Sequence, residues 1–454
     1  MRLVEGLTGI EEPRPADLAG RTLDCPCGRR HQVPIEALVT DPGGVQEVGP
    51  FLARKGHRRV WLIADERTFA AGGSQAEASC REAGVVVKKT ILPGEPMPHA
   101  DKEALGRLAF DLEPEALPLI AVGSGTVSDL ARFLAYRTGT FFVTVPTAPS
   151  MDGYTSSVAA MLVDGVRITF PAAPPRAIFA DPDIYSRAPR ELIAAGYAEM
   201  LGKLTALADW RLSAVLNGEY HCPLAEELVT DAARPILEDP GSPAVLMEGL
   251  LWVGLAMLMV GTSRPASGSE HHVAHYWEMR ALWEGREPYG HGERVGIATV
   301  LIQHLYEELF DRHRDQLAEL AARAQGSAHG TETQIRTWYG PVADGLLKEQ
   351  SSWGSKAYGP RPLTAEGLEA AAQAVQPFRL SPDTALAFLA RAGAPQHPYE
   401  IDVSPELVEI TLQAAKEVRN RFTILHLLNE LGLLEELSQV VAGNVATDRR
   451  PGEA

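Results

Sequence analysis

The strongest constraint on this chain is a change of rhythm near Pro189. Before it, short apolar runs alternate with helical stretches: Arg59–Asp65 (RVWLIAD), Val85–Leu92 (VVVKKTIL), Leu117–Gly125 (LPLIAVGSG) and Phe141–Thr147 (FFVTVPT). Buried strands alternating with crossover helices imply a parallel sheet. Ala159–Phe170 breaks that pattern, because its two extended runs around Asp164-Gly165 read as a β-hairpin. After Pro189 the strand signal ends. Glu191–Leu212, Pro243–Thr262, the His-rich segment from Ser263, Gly296–Phe310 and Val408–Leu437 all read as helices. The expected architecture is an α/β half, residues 1–188 with a hairpin region at 1–45, followed by an all-helical half, residues 189–454. Residues 326–398 are polar and punctuated by Gly and Pro, and receive no element; residues 445–454 read as an unstructured tail.

Composition narrows the class of partner. The formal charge is 42 − 59 = −17, which argues against nucleic acid and anionic membrane surfaces. Any anionic substrate therefore needs a local cluster of donors. The segment MRLVEGLTGIEEPRPADLAG lacks a basic stretch followed by an apolar core, so no secretion signal is read. Pro243–Thr262 is almost long enough to span a bilayer, but Glu248 sits inside it and glycine is frequent, so a buried core helix is expected. The 4 cysteines form no disulfide framework and suit a reducing cytoplasm. Cys25-Pro-Cys27-Gly-Arg-Arg-His31 looks like a fragment of a zinc knuckle. Nothing nearby in sequence completes it, so a tight hairpin with buried thiols is the expectation.

Chemistry-bearing residues concentrate in two places. In Ser263–Met279 (SRPASGSEHHVAHYWEM), His271 and His275 are four apart and share a face of any helix there, while His272 is rotated off it. His291 opens the next segment, GHGERVG. Imidazoles from adjacent elements plus a carboxylate would make a three-ligand site with an open position, and Glu199 in GYAEMLGK is the carboxylate nominated. From the spacing alone a packed or surface histidine pair is the stronger reading. Lys203, four residues after Glu199, would neutralise a phosphate or form a surface ion pair. In the α/β half, strand–Gly123-Ser-Gly-Thr126–helix is a phosphate cradle or a tight turn, with Asp129 in the helix's first turn. Thr147 to Ser150 follow the next strand, where α/β sheets bind ligands. Asp152 would accept from a substrate hydroxyl or cap a turn.

Together GSGTVSDLARF, TVPTAPSMDGYTSS, SRPASGSEHH and HGERVGIAT resemble the sn-glycerol-1-phosphate dehydrogenases, in particular their bacterial branch, over most of the chain from Cys25 to about Arg419. Glycerol dehydrogenase and 3-dehydroquinate synthase share that superfamily. The resemblance implies an α/β, Rossmann-like dinucleotide-binding domain followed by an all-α metal-binding domain. It implies NAD(H) or NADP(H), one divalent ion (Zn2+ or Ni2+), a small phosphorylated substrate, a homodimer and a place in phospholipid biosynthesis. Carried over residue by residue, the metal ligands fall on Glu199, His271 and His291, with His275 and Asp152 at the substrate. The dinucleotide contacts fall on Asp65, on Gly125, Thr126, Val127, Ser128 and Asp129, on Thr147, Ala148, Pro149 and Ser150, and on Ser156.

One position departs from the pattern: Glu199 stands where the dehydrogenases carry Asp, and the synthase branch carries Glu. The reading is thus reversible hydride transfer between dihydroxyacetone phosphate and sn-glycerol 1-phosphate, with His275 and Lys203 as catalytic residues. The alternatives are a dehydroquinate-synthase-like sugar-phosphate cyclase, a dehydrogenase of another phosphorylated polyol, or a binding relative that has lost activity.

Overall fold

A computed structural model describes residues 2–324, 329–353 and 362–447. It falls into two compact units that the chain visits in turn. The first comprises Met1–Val163, Arg167–Gly196 and Pro223–Ser263; the second comprises Asp164–Val166, Tyr197–Cys222 and Arg264–Ala454.

The first unit opens with an antiparallel pair, β1 (Thr22–Asp24) and β2 (Arg30–Gln32). Its centre is a six-stranded sheet of β3 (Ala37–Val39), β4 (Arg59–Asp65), β5 (Val86–Leu92), β6 (Leu119–Gly123), β7 (Phe142–Pro146) and β10 (Ala177–Phe179). The order is β3-β10-β7-β6-β4-β5, and every pairing is parallel. Helices α1 (Val48–Arg54), α2 (Ser74–Glu82), α3 (Lys102–Phe110) and α4 (Gly125–Thr138) are the crossovers. Strand β4 shows why its sequence is apolar throughout. Val60, Leu62 and Ala64 enter one buried layer with Phe51, Leu52 and Cys80, while Trp61 and Ile63 enter the other with Leu108, Leu130 and Leu134. A strand covered on both faces has no polar face to show. Each fully buried Leu or Ile there contributes ~1.5–3 kcal/mol.

The four sequence runs mark β4 to β7, with β6 and β7 shortened to Leu119–Gly123 and Phe142–Pro146. Strands β3 and β10 carried too little signal, being three residues each. The hairpin is present as β8 (Val158–Val163) and β9 (Val166–Pro171), turning at Asp164 and Gly165 with φ of 52° and 78°. Both central residues at positive φ match the strand twist of a two-residue hairpin.

Helix α5 (Arg190–Asn217) passes from the first unit into the second; α6 (Pro223–Glu238) and α7 (Pro243–Val260) belong to the first. Helix α7 is the one described helix long and apolar enough to cross a membrane, and 78% of it is buried inside the protein, as a core helix should be. The second unit is helical: α8 (Ser269–Trp283), α9 (His291–Glu307), α10 (Glu332–Tyr339), α11 (Ala343–Ser352), α12 (Ala365–Val375), α13 (Pro382–Ala392), α14 (Pro405–Ala414), α15 (Ile424–Glu430) and α16 (Leu434–Thr447). Two expectations change here. The run Val408–Leu437 is three helices, broken by an irregular stretch around Arg419-Asn420-Arg421, and the segment from Ser263 turns helical only at Ser269. The unassigned stretch 326–398 contains α10 to α13, apart from 326–328 and 354–361, which lie outside the described residues. Of the expected tail, 445–447 continue α16 and 448–454 lie outside the described residues.

Candidate metal centre

The second unit gathers Glu199 of α5, His271 and His275 of α8, and His291 at the start of α9. Ligand atoms of Glu199, His271 and His291 all lie within 4.8 Å of one another. His271 Nε2 is 3.2 Å from Glu199 Oε1, and His291 Nε2 is 3.5 Å from Glu199 Oε2. The sequence builds this locally. Gly268 precedes α8 with its backbone N–H donating to Glu270 Oε1 at 2.6 Å, and Gly290 precedes α9 with its N–H donating to Glu293 Oε2 at 2.7 Å. Each helix therefore starts on an acidic residue of its own first turn, a favourable place for negative charge.

Electrostatics shape the three side chains differently. Burial opposes ionisation of Glu199, but Lys203, His271 and His291 outweigh it and hold the carboxyl well below its ordinary value. His291 is pushed down to about 3, chiefly by burial, so its imidazole is neutral. His271 Nδ1 donates to Glu270 Oε1 at 2.7 Å. That bond leaves Nε2 as the lone-pair nitrogen facing Glu199, the arrangement in which a carboxylate behind a histidine orients it for a metal. Glu199 Oε2 is buried and accepts no hydrogen bond from the described residues. A buried carboxylate oxygen without a donor is costly, and a divalent ion between it and the two imidazoles satisfies it. Glu199 and Glu270 outweigh burial and raise His271 above its ordinary value, so an ion would displace its proton; one carboxylate and two imidazoles form a donor set that fits such an ion.

Lys203 is not on the surface. Its ammonium is fully buried, donating to Glu199 Oε1 at 2.6 Å and to the Ala266 carbonyl at 2.9 Å. The surface ion-pair alternative is thereby removed. His275 lies beside the trio, its ring centroid 5.5 Å from His291 and 6.1 Å from His271. Arg419 Nη2 donates to His275 Nε2 at 2.9 Å. Burial and that guanidinium hold His275 well below its ordinary value. His272 points elsewhere, toward His426 at 6.5 Å, with neither ring nitrogen hydrogen-bonded.

Three residues that sequence reasoning left without a role complete the picture. Arg419 also donates to Ser267 Oγ at 3.3 Å, and Arg421 donates to the Ser267 carbonyl at 2.6 Å. Burial, with the charges of Arg419 and Arg264, pushes Arg421 down to about 9. Two half-buried guanidiniums crowded at Ser267, one of them also on His275, are suited to an anion. Asp209 of α5 is the third: Oδ2 accepts from Ser269 N and Ser269 Oγ, both at 2.6 Å, and Oδ1 from Ile424 N at 2.7 Å and Tyr306 Oη at 2.8 Å. One side chain thus ties α5, α8, α9 and α15 together. The only sequence signal for it is a carboxylate inside an otherwise apolar helical run.

In the first unit the structure brings the other expected residues to the carboxyl edges of β4, β6 and β7, which are neighbours in the sheet. From β4 the chain adds β5 on one side and then β6 and β7 on the other, so the strand order switches between β4 and β6, the usual crevice for a dinucleotide. Gly125 to Asp129 form the first turn of α4, whose preceding Ser124 makes no side-chain capping bond. The Ser124 side chain thus leaves the first amides of that helix uncapped, as an anion cradle needs. Asp65 caps the short turn after β4, accepting from Arg67 N and Thr68 N at 2.9 Å each. Asp129 pairs with Arg132 at 2.6 Å, and Arg132 donates on to the carbonyls of Gly153 and Val158. Ser156 Oγ accepts from Val158 N at 3.1 Å, and the hydroxyl of Tyr154 donates to the Ala148 carbonyl at 2.6 Å. Asp152 starts the turn Gly153–Thr155 but makes no side-chain capping bond there. Two glycines seat this loop. A Cβ on Gly196 would meet the Pro149 carbonyl oxygen at 1.8 Å, and one on Gly254 would meet Thr155 Oγ1 at 2.1 Å.

A parallel α/β unit with a glycine-turn cradle, and a helical unit with a carboxylate–imidazole centre, define a class of metal-dependent dehydrogenases. The sequence model of the family described as iron-containing alcohol dehydrogenase matches residues 39–189. The chain is 39% identical over 295 residues to a protein of Halalkalibacterium halodurans named glycerol-1-phosphate dehydrogenase, covering 63% of this chain and 74% of that one. It is 31% identical to the protein of that name from Geobacillus thermodenitrificans, covering 90% and 96%. The chain belongs to the glycerol-1-phosphate dehydrogenase family. Solved structures agree on the fold. They include a probable glycerol dehydrogenase from Sinorhizobium meliloti (TM-score 0.56, 16% identity, 89% of this chain and 97% of that one). An iron-containing alcohol dehydrogenase from Thermococcus thioreducens is similar (TM-score 0.57, 15% identity, 89% and 98%).

Proposed function

We propose that this chain interconverts dihydroxyacetone phosphate and sn-glycerol 1-phosphate, using NAD(P)H and one divalent ion, Zn2+ or Ni2+. The observation that carries the reading is the convergence of Glu199, His271 and His291 beside His275 and Arg419, in a chain whose relatives bear that enzyme's name. The ion would be held by Glu199, His271 and His291, and when bound supplies Lewis-acid polarisation of the substrate's C2 oxygen. The nicotinamide supplies the hydride. The chain's own residues do the rest. Lys203 balances the charge of Glu199 inside the protein. His275, neutral and beside the metal ligands, exchanges a proton with a substrate hydroxyl. Arg419 and Arg421 supply the local donors that an anionic substrate needs against a net charge of −17. In the first unit, Asp65, the Gly125–Asp129 turn, Thr147–Ser150 and Ser156 bind the dinucleotide, and Asp152 meets the substrate.

The test measures NAD(P)H oxidation with dihydroxyacetone phosphate across a panel of metals, with metal content in parallel. Wild type should turn over. His271→Ala should lose the ion and the activity while keeping its secondary structure. A wild type replete with metal yet inert on this substrate would overturn the proposal and favour another phosphorylated ketone or polyol.

A further inference from the structure

A second group of metal-ligand type lies in the first unit, in the hairpin that the catalytic reading does not use. Strands β1 and β2 pair Leu23 with His31 and Asp24 with Arg30. Between them Cys25-Pro26-Cys27-Gly28 forms a tight knuckle. Gly28 N donates to the Cys25 carbonyl at 3.0 Å with φ of 81°, a conformation a side chain would strain, and Cys25 N donates to the Arg29 carbonyl at 3.1 Å. The knuckle brings Cys25 Sγ, Cys27 Sγ and a His31 ring nitrogen within 4.8 Å of one another.

His31 is 2% exposed, and its Nδ1 donates to the Met259 carbonyl at 2.8 Å. A carbonyl can only accept, so the proton is on Nδ1 and the lone pair on Nε2. That lone pair faces Cys27 Sγ at 3.4 Å. A histidine whose far nitrogen donates to a backbone carbonyl, while its near one faces sulfur, is oriented as a metal ligand is. In a tetrahedral zinc site, Zn–S of about 2.3 Å and Zn–N of about 2.0 Å put sulfur and nitrogen ~3.5 Å apart. The observed separation matches that edge. None of the cysteines is disulfide-bonded. Cys80 is locked in the sheet core and takes no part.

We infer that Cys25, Cys27 and His31, all of the first unit, hold a structural zinc ion, distinct from the centre at Glu199. Binding converts the two thiols to thiolates and releases their protons. A two-stranded hairpin is marginal by itself, and the ion fixes this one where His31 reaches the end of α7.

The experiment uses the His271→Ala chain, which lacks a catalytic ligand, so the two sites are counted separately. Zinc is measured per chain by elemental analysis, and Co2+ replaces it for spectroscopy. The expected result is one zinc, an intense thiolate-to-cobalt charge-transfer band, and loss of both in the His271→Ala/Cys27→Ser and His271→Ala/His31→Ala chains. Chelator should lower the Tm of the His271→Ala chain and leave that of His271→Ala/Cys27→Ser unchanged. Zinc retained in the His31 variant overturns the ligand set. If the cysteine variants fail to fold, the cobalt spectrum of His271→Ala decides: the thiolate band supports the site, and its absence under reducing conditions refutes it.

Discussion

Removing Asp209 tests whether the metal centre depends on a buried hub. Asp209→Ala deletes the acceptor of four hydrogen bonds, from Ser269 N, Ser269 Oγ, Tyr306 Oη and Ile424 N. Bonds to a charged group contribute roughly 1.5–3 kcal/mol each, so the low end of the loss is about 6 kcal/mol. A credit opposes it. Burial, then repulsion from Glu270, raises Asp209 from 3.8 to about 6. That displacement corresponds to roughly 3 kcal/mol of strain in the ionised form, which alanine relieves. The hydrogen bonds win, by about 3 kcal/mol at neutral pH. The sign of the pH dependence follows. A carboxyl whose folded value is raised contributes most when protonated, and that contribution falls as pH rises from about 3.8 through 6. The deficit of Asp209→Ala should therefore be larger at pH 5 than at pH 7.5, by roughly 1 kcal/mol. Urea unfolding at both pH values, with metal content alongside, measures this. Because Ser269 starts α8, metal affinity should fall too. A variant with the wild-type midpoint and full metal would refute the hub.

Three further outcomes are expected. His275→Ala should lower turnover roughly 10²-fold or more with metal retained, whereas His272→Ala, which faces His426, should be milder; equal losses in kcat would contradict the helical-face assignment. Gly196→Ala should fail to fold or lose dinucleotide affinity, since its Cβ would meet the Pro149 carbonyl at 1.8 Å; unchanged cofactor Kd and Tm would show that the loop yields. Glu199→Asp should bind metal more weakly and turn over more slowly, because Lys203, His271 and His291 are arranged around the longer carboxylate. A faster Asp enzyme would mean that the site is not adapted to Glu.

Regular, repeated chemistry was the legible part of this molecule. Strand β4 could be read to the residue because both its faces are buried, and His271, His275 and His291 because imidazoles are rare and their helical spacing is geometric. Strands β3 and β10 could not, since three residues carry no periodicity and gain their identity from pairing with each other and with β7. Arg419 and Arg421 were hidden inside what looked like one long helix; no proline marks the break, which shows only once the segment packs. Asp209 and Lys203 sit on a helix whose apolar residues face all round, so nothing in the sequence told a buried charge from a solvated one.

The interleaving of the two units bears on how the protein is made. The six-stranded sheet is complete once Phe179 has left the ribosome. The Thr147–Ser156 loop at its edge is not, because one of its two glycine seats, Gly254, is synthesised about a hundred residues later, after Tyr197–Cys222 of the second unit. A nascent chain therefore carries an assembled sheet with an unseated loop through much of translation. No single cut in the gene releases either unit whole, and fragments ending near residue 188 should be recognised by quality-control proteases rather than by nucleotide.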